Sequence, residues 1–288
     1  MITIDTALQS TISLVRTALE EDIGDGDRTT LWAVPSDVRG YARVIARAEG
    51  IIAGTEPFDL VLHEVDADLV TKWSRQDGTH VAVGEEVVEV HGCLQSILMA
   101  ERTALNFLGR LSGIATMAGQ FADAVAGTGT QVVDTRKTTP GWRTLEKAAV
   151  VAGGCQNHRR GLFDMVLVKE NHLRAAGGII GPTLEAVQRR ALAEGLEVEI
   201  EVATLAELAE VLDRKPDRIL LDNMSTDELS EAVRIIRSCP PPRPVIEASG
   251  GVTAANVQDI AETGVDMISA GCLTHSAPPL DLSLLVDG

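Results

Sequence analysis

Charged and phosphate-binding groups fall at corresponding places from residue 134 onward in this 288-residue chain. Arg136 and Lys137 follow a short apolar run that leads into Asp134 and Thr135. Lys169 closes a second run and is followed by Glu170, Asn171 and His172, while Glu201 and Asp222 stand at the ends of a third and a fourth. Ser249-Gly250-Gly251 ends the fifth and Ala270-Gly271 the sixth; His158-Arg159-Arg160 lies on the approach to the second. One arginine alone is ordinarily a solvated surface charge. Several forked guanidinium groups in one place point to a substrate with more than one negative charge, because they bind carboxylates and phosphates through paired hydrogen bonds. Two successive glycines let backbone amides approach an anion, and a helix starting near Thr253 would add partial positive charge. Gly271 offers a second such turn. Glu201 and Asp222 would repel an anionic ligand, so they must serve some other purpose. They could hold a divalent metal, accept hydrogen bonds from sugar hydroxyls, or stabilise a developing positive charge. Glu199 shares the alternation of Glu201, and the pattern leaves open which of the two faces inward.

These groups need a scaffold that brings strand ends together. The apolar runs cover 131–134, 164–169, 197–202, 217–222, 244–249 and 265–270, with helical spacing near 142–152, 183–194, 204–213, 225–237 and 253–263. Alternating strands and helices imply right-handed βαβ units and a parallel sheet. Six units suit a β/α barrel, complete or open, in which working residues stand at the C-terminal strand ends and late loops cradle phosphate. A doubly wound open sheet is the alternative, but no GxGxxG fingerprint follows any of the runs. The first part reads differently. Helical spacing over 5–21 precedes an acidic, glycine-containing loop at 22–30, strands at 39–54, hairpin-like segments at 69–92 and a long helix at about 96–126, with a kink expected at Gly113. The expected organisation is an α/β chain: an N-terminal α+β domain over 1–112, a β/α barrel over 113–272, and a tail at 273–288 that packs on the first domain.

Composition excludes several function classes. With 25 basic and 42 acidic residues the net charge is −17, a poor match for nucleic acid or anionic membranes. Cys93, Cys155, Cys239 and Cys272 are irregularly spaced with no CxxC pair, which fits a reducing compartment and gives no structural zinc site. No apolar run reaches the ~18 residues of a membrane span. The first residues show no secretory pattern. The expectation is a soluble, cytoplasmic protein.

The chain resembles the quinolinate phosphoribosyltransferases, also called nicotinate-nucleotide pyrophosphorylases (carboxylating). The resemblance runs nearly end to end, through EDIGDGDRTT, ERTALNFLGRLSGIAT, DTRKTTPG, GGCQNHRRGL, LVKENH, EVEIEV, ILLDN, EASGG and SAGCLTHS. It implies an open seven-stranded barrel behind an N-terminal α+β domain, working as a homodimer or an assembly of dimers with shared active sites. It implies the substrates quinolinate and phosphoribosyl pyrophosphate, with Mg2+ as cofactor. On the matching positions, Arg102 would reach into the neighbouring subunit's site, and Arg136, His158, Arg159 and Lys169 would bind the quinolinate carboxylates. Lys137 would meet the phosphoribosyl donor and Thr135 belongs to the substrate-binding set, while Glu201 and Asp222 would face the ribose and its magnesium, directly, through water or through substrate. Ser249, Gly250, Gly251, Gly271 and His275 would form the 5′-phosphate region, with Ala270 also in the substrate-binding set. Lys137, Lys169, Glu201 and Asp222 are the expected catalytic set. Cys155-Gln156, Ala203 and Cys272 depart from the commonest family wording without removing a proposed contact. The alternatives are a molybdenum-transport-associated relative of the same fold, which tends to vary at NHRRG and KENH, and a Schiff-base aldolase using Lys169. The aldolase leaves Arg136, His158 and Arg159 without work. A non-enzymatic anion-binding protein leaves Glu201 and Asp222 unexplained.

Overall fold

The computed structural model describes residues 4–178 and 180–287. The chain divides into two units: one holds the residues up to 119 with 138–154 and those from 276 on, the other holds 120–137 and 155–275.

The first unit opens with α1 (Ile4–Ile23) and α2 (Arg28–Ala33). The loop expected over 22–30 is therefore cut short: Asp27 caps α2, its carboxylate accepting the Thr30 N–H at 3.0 Å, as an acidic residue before a helix start does. Then come β1 (Arg39–Ala46), β2 (Gly50–Ile51), α3 (Thr55–Val65), β3 (Val70–Trp73), β4 (His80–Val81), β5 (Glu86–Cys93) and α4 (Leu94–Ala124). α4 runs through Gly113 without a break, so the expected kink is replaced by another need for glycine. A Cβ there would lie 2.0 Å from the Pro278 carbonyl oxygen. The expected domain boundary at 112 falls inside this helix.

After α4 the chain forms β6 (Gln131–Val133), α5 (Arg143–Ala152), β7 (Val166–Val168), α6 (Glu170–Ala175), α7 (Ile180–Glu194), β8 (Val198–Val202), α8 (Leu205–Leu212), β9 (Arg218–Asp222), α9 (Thr226–Ser238), β10 (Val245–Ser249), α10 (Val257–Glu262), β11 (Met267–Ser269), α11 (Cys272–His275) and β12 (Leu282–Asp287). α5 belongs to the first unit although it follows a barrel strand. β12 pairs antiparallel with β1 in the sheet β12-β1-β5-β3, and the Arg43 guanidinium grips the Asp287 carboxylate across that pair.

In the second unit the strands lie in the order β6-β11-β10-β9-β8-β7, each pair parallel. Val133 at the β6 edge also pairs with Gln156 in one parallel bridge, which marks the seventh strand position. Among the described residues nothing pairs Gln156 with β7, and the β/α barrel is open there. Successive strand residues point to opposite faces. In β8, Val198, Ile200 and Val202 therefore face the helices while Glu199 and Glu201 both face inward, which answers the question the pattern left open. The inward residues of β9 and β10 are Leu220 with Asp222, and Glu247 with Ser249. Helix α10 begins at Val257, capped at Asn256, rather than near Thr253.

Candidate active site

A cavity of about 500 Å³ opens at the C-terminal ends of the barrel strands. Thr135, Arg136 and Lys137 enter it after β6, His158 and Arg159 from the loop before β7, and Lys169 directly after β7. Asp222 and Asn223 follow β9, and Ser249, Gly250 and Gly251 follow β10. Leu167, Leu220 and Ser269 supply lower wall. The second unit thus brings together most of the residues singled out by type and spacing.

The cations differ in how they are held. Arg136 and Lys137 are exposed, and the Lys137 N–H donates to Thr135 Oγ1 at 3.0 Å, a tight turn that faces both side chains from one short segment. Arg159 is half-buried and its guanidinium donates to the Met165 carbonyl at 3.2 Å. Burial, and then the neighbouring Arg136 charge, pull its pKa below the usual guanidinium range. The loop behind it is pinned by Asp164, which accepts the Arg160 and Gly161 N–H groups at 2.6 and 2.9 Å. The Lys169 ammonium is ion-paired with Glu201, which is not itself part of the cavity wall.

Beneath the cations lies a buried acid–histidine cluster. Glu199 and Glu247 are both fully buried. His158 Nε2 stands 3.0 Å from Glu247 Oε2 and 3.2 Å from Glu199 Oε2. Only the Glu247 contact has hydrogen-bond geometry; both Glu199 carboxylate oxygens and Glu247 Oε1 lack a hydrogen-bond partner. The Arg159 N–H reaches His158 Nδ1 at 2.8 Å, and the His158 N–H donates to the buried Asp134 carboxylate at 2.9 Å. Burial alone would lower the imidazole pKa, but the two carboxylates outweigh it and push His158 up to about 9. Burial drives Glu199 up to about 7. Glu247, which burial would also raise, sits below the usual carboxylate range because of His158. Sequence reasoning found His158, named Asp134 only as part of a strand end, and missed Glu247. The available signal was an acid in the inward register of an apolar strand.

The opposite wall is built for close approach. Gly250 and Gly251 have φ of 92° and 61°, and a Cβ on Gly250 would sit 2.3 Å from Asn223 Oδ1. Asn223 itself has φ 56°, its N–H bonded to the Ser249 carbonyl at 2.8 Å, and its side-chain amide donates to Asp222 at 2.7 Å. Ser249 Oγ accepts from Ser269 at 2.9 Å. With α10 starting six residues beyond Gly251 and spanning six residues, the helix-terminus charge expected here is absent, and the loop amides alone would serve an anion. Ala270 is buried and bonded to the Val133 carbonyl. A Cβ on Gly271 would lie 2.9 Å from Lys137 Cδ and 3.2 Å from His275 Nε2, so these three residues meet. Ala270, Gly271 and His275 stand outside the cavity wall itself. Arg102 lies on α4 in the first unit, exposed, beside a different cavity shared with Asn106, Arg110 and Trp142. The oxygen donors suit a hard cation, since magnesium usually takes one or two carboxylates and completes its shell with water and substrate phosphate. Asp222 lines the cavity and Glu201 is one residue layer away on the adjacent strand. Among the described residues the metal-competent grouping is His158 with Glu199 and Glu247, and Glu201 and Asp222 do not join it. No helix among them is long and apolar enough to cross a membrane.

The family description "Quinolinate phosphoribosyl transferase, N-terminal domain" matches residues 27–112, and its C-terminal counterpart matches residues 114–285. A chloroplastic nicotinate-nucleotide pyrophosphorylase (carboxylating) of rice is 42% identical over 96% of this chain and 77% of its own. A probable nicotinate-nucleotide pyrophosphorylase (carboxylating) of Synechocystis is 43% identical over 93% of this chain and 90% of its own. The solved nicotinate-nucleotide pyrophosphorylase from Francisella tularensis superposes with a TM-score of 0.88 at 38% identity, covering 97% of this chain and 96% of that one.

Proposed function

The chain belongs to the quinolinate phosphoribosyltransferase family, and from that premise we propose that it transfers phosphoribosyl from phosphoribosyl pyrophosphate to quinolinate with decarboxylation, giving nicotinate mononucleotide, pyrophosphate and CO2 for NAD biosynthesis. The observation that carries this reading is one cavity with Arg136, Arg159 and Lys169 on one side and the Ser249-Gly250-Gly251 turn on the other. The cations match a doubly ionised pyridine, and the exposed amides of the turn match a 5′-phosphate.

In this reading Arg136 and Arg159 take the two carboxylates and, with Lys169, aim the ring nitrogen at C1 of the ribose. The nitrogen lone pair forms the new bond as the C1–oxygen bond to pyrophosphate breaks. Positive charge builds on the ribose at that moment, and Asp222, at the cavity edge beside Asn223, is placed to stabilise it. Lys137 would offset charge on the departing pyrophosphate, from the turn that also faces Gly271 and His275. Mg2+, held by Asp222 and Glu201 directly or through water and substrate, would supply further charge neutralisation on the pyrophosphate. Afterwards the bond from C2 to its carboxylate breaks, CO2 leaves, and the electron pair is held at C2 beside the cationic nitrogen until a proton arrives. The protein's share is to hold two polyanions in attack geometry. A homodimer or an assembly of dimers belongs to the same reading, with Arg102 entering a neighbouring copy's cavity. So does a cytoplasmic setting, which the four free cysteines suit.

The test is incubation with quinolinate, phosphoribosyl pyrophosphate and Mg2+. Nicotinate mononucleotide, with CO2 and pyrophosphate in equal amounts, is the expected outcome; pyrophosphate release without CO2, or no product, would overturn the reading.

A further inference from the structure

Two fully buried carboxylates beneath an anion-binding cavity need a reason. They add negative charge where the substrate brings more, and three of their oxygens have no hydrogen bond within the protein. Buried unsatisfied acids cost stability unless something recovers the loss. What they touch is His158, whose side chain is 7% exposed. The same inward register in β9 holds Leu220, which makes an apolar contact set with Met165 and Leu167.

We infer that Glu247, assisted by Glu199, is a positioning residue of the quinolinate pocket, fixing the His158 ring and through it the main chain of Arg159. The inference rests on the proposed phosphoribosyl transfer. The chain of contacts is continuous. Glu247 Oε2 meets His158 Nε2 at 3.0 Å, and His158 Nδ1 lies 2.8 Å from the Arg159 main-chain nitrogen. Nε2 thus faces the carboxylates and Nδ1 the main chain of Arg159. Asp134 holds the His158 N–H from the end of β6, one residue before Thr135 and two before Arg136. The segment 158–159 is thus tied to the end of β6 and the middle of β10, two strands that are not neighbours in the sheet. Both nitrogens of the ring are engaged inside the protein, at the floor of the cavity that His158 and Glu247 help to line, so the orientation of Arg159 depends on this buried cluster. Partners that orient binding residues in this way typically matter by factors of 10–100. The direction of the effect is specific: it falls on the pyridine dicarboxylate more than on the phosphoribosyl donor, whose contacts lie on Lys137, Asp222 and the glycine turns.

The experiment is steady-state kinetics of Glu247→Gln with both substrates varied, alongside His158→Asn and the double variant. Glu247→Gln should raise KM for quinolinate by roughly 10-fold or more while KM for phosphoribosyl pyrophosphate changes by less than about 2-fold. The double variant should be little worse than His158→Asn alone, because Glu247 acts through that ring. Equal rises in both KM values, or effects that multiply, would overturn the inference. Should Glu247→Gln not fold, Glu199→Gln is expected to show the same split in weaker form, and its absence counts against the inference equally. A metal retained by the purified wild-type protein and lost in the glutamine variant would also overturn it, by making the cluster a ligand set. A wild-type protein without activity would instead sink the reading on which all this stands.

Discussion

Two buried glutamate sites in this molecule are solved in opposite ways. In the first unit, Glu146 is fully buried and fully used: it accepts the Thr139 hydroxyl at 2.7 Å, the Thr139 N–H at 3.1 Å and the Arg110 guanidinium at 3.2 Å. Arg110 in turn donates to the Ala277 carbonyl at 2.8 Å, so the acid ties α5, α4 and the returning tail together. In the barrel, Glu199 and Glu247 are equally buried but leave oxygens unmet and crowd one imidazole. A carboxylate whose every partner is an architectural group is there for the fold. One that is left short beneath a cavity, aimed at a residue of that cavity, is there for the site.

Breaking the contrast at its structural end should give the largest effect. Glu146→Gln replaces an acceptor by a donor facing Arg110 and Thr139; loss of one partner of a buried ion pair costs about 3–5 kcal/mol. Thermal unfolding should show a melting temperature lower by several degrees. Glu247→Gln, by contrast, removes a buried charge and leaves His158 with Glu199, and its melting temperature should stay close to wild type. A reversed order would mean the barrel acids are the structural pair. Next in size, Arg159→Ala and Arg136→Ala should each lower kcat/KM for quinolinate by about 10–100-fold, the worth of roughly 1.5–3 kcal/mol for a charged hydrogen bond. Unchanged quinolinate kinetics in both would place the dicarboxylate elsewhere.

The smallest effect is in pH. Because His158 is held up to about 9 in the folded protein, above the ~6.5 of a free imidazole, its contribution to stability is complete below about 6.5 and is lost as pH rises through about 9. Melting temperatures measured from pH 6.5 to 9.5 should therefore fall more steeply in wild type than in His158→Asn. Parallel curves would remove the cluster from the pH response.

The same contrast explains what could be read before the fold was seen. The barrel strands and their helices were legible because each strand is a short apolar run ended by a charged or glycine residue, as 217–222 and 244–249 show. The cavity cations were legible from position alone: Arg136 and Lys169 follow strand ends, where a β/α barrel converges, and Arg159 lies on the approach to β7. What was hidden depends on tertiary partners. Gly113 looks like a helix breaker until the Pro278 carbonyl is seen against it. β12 shows its purpose only when paired with β1. Glu247 carried no distinguishing mark within its motif, since its meaning comes from a histidine 89 residues away in sequence. The helix expected at Thr253 failed for a local reason: Asn256 accepts the Thr253 N–H through its side chain and caps the helix later.

The most direct test is a crystal of the protein soaked with quinolinate. The two carboxylates should lie among Arg136, Arg159 and Lys169, with the ring over Leu167 and Leu220 and its nitrogen facing the Asp222 side of the cavity. Quinolinate bound outside this cavity, or seated in it with neither carboxylate against an arginine, would contradict the account.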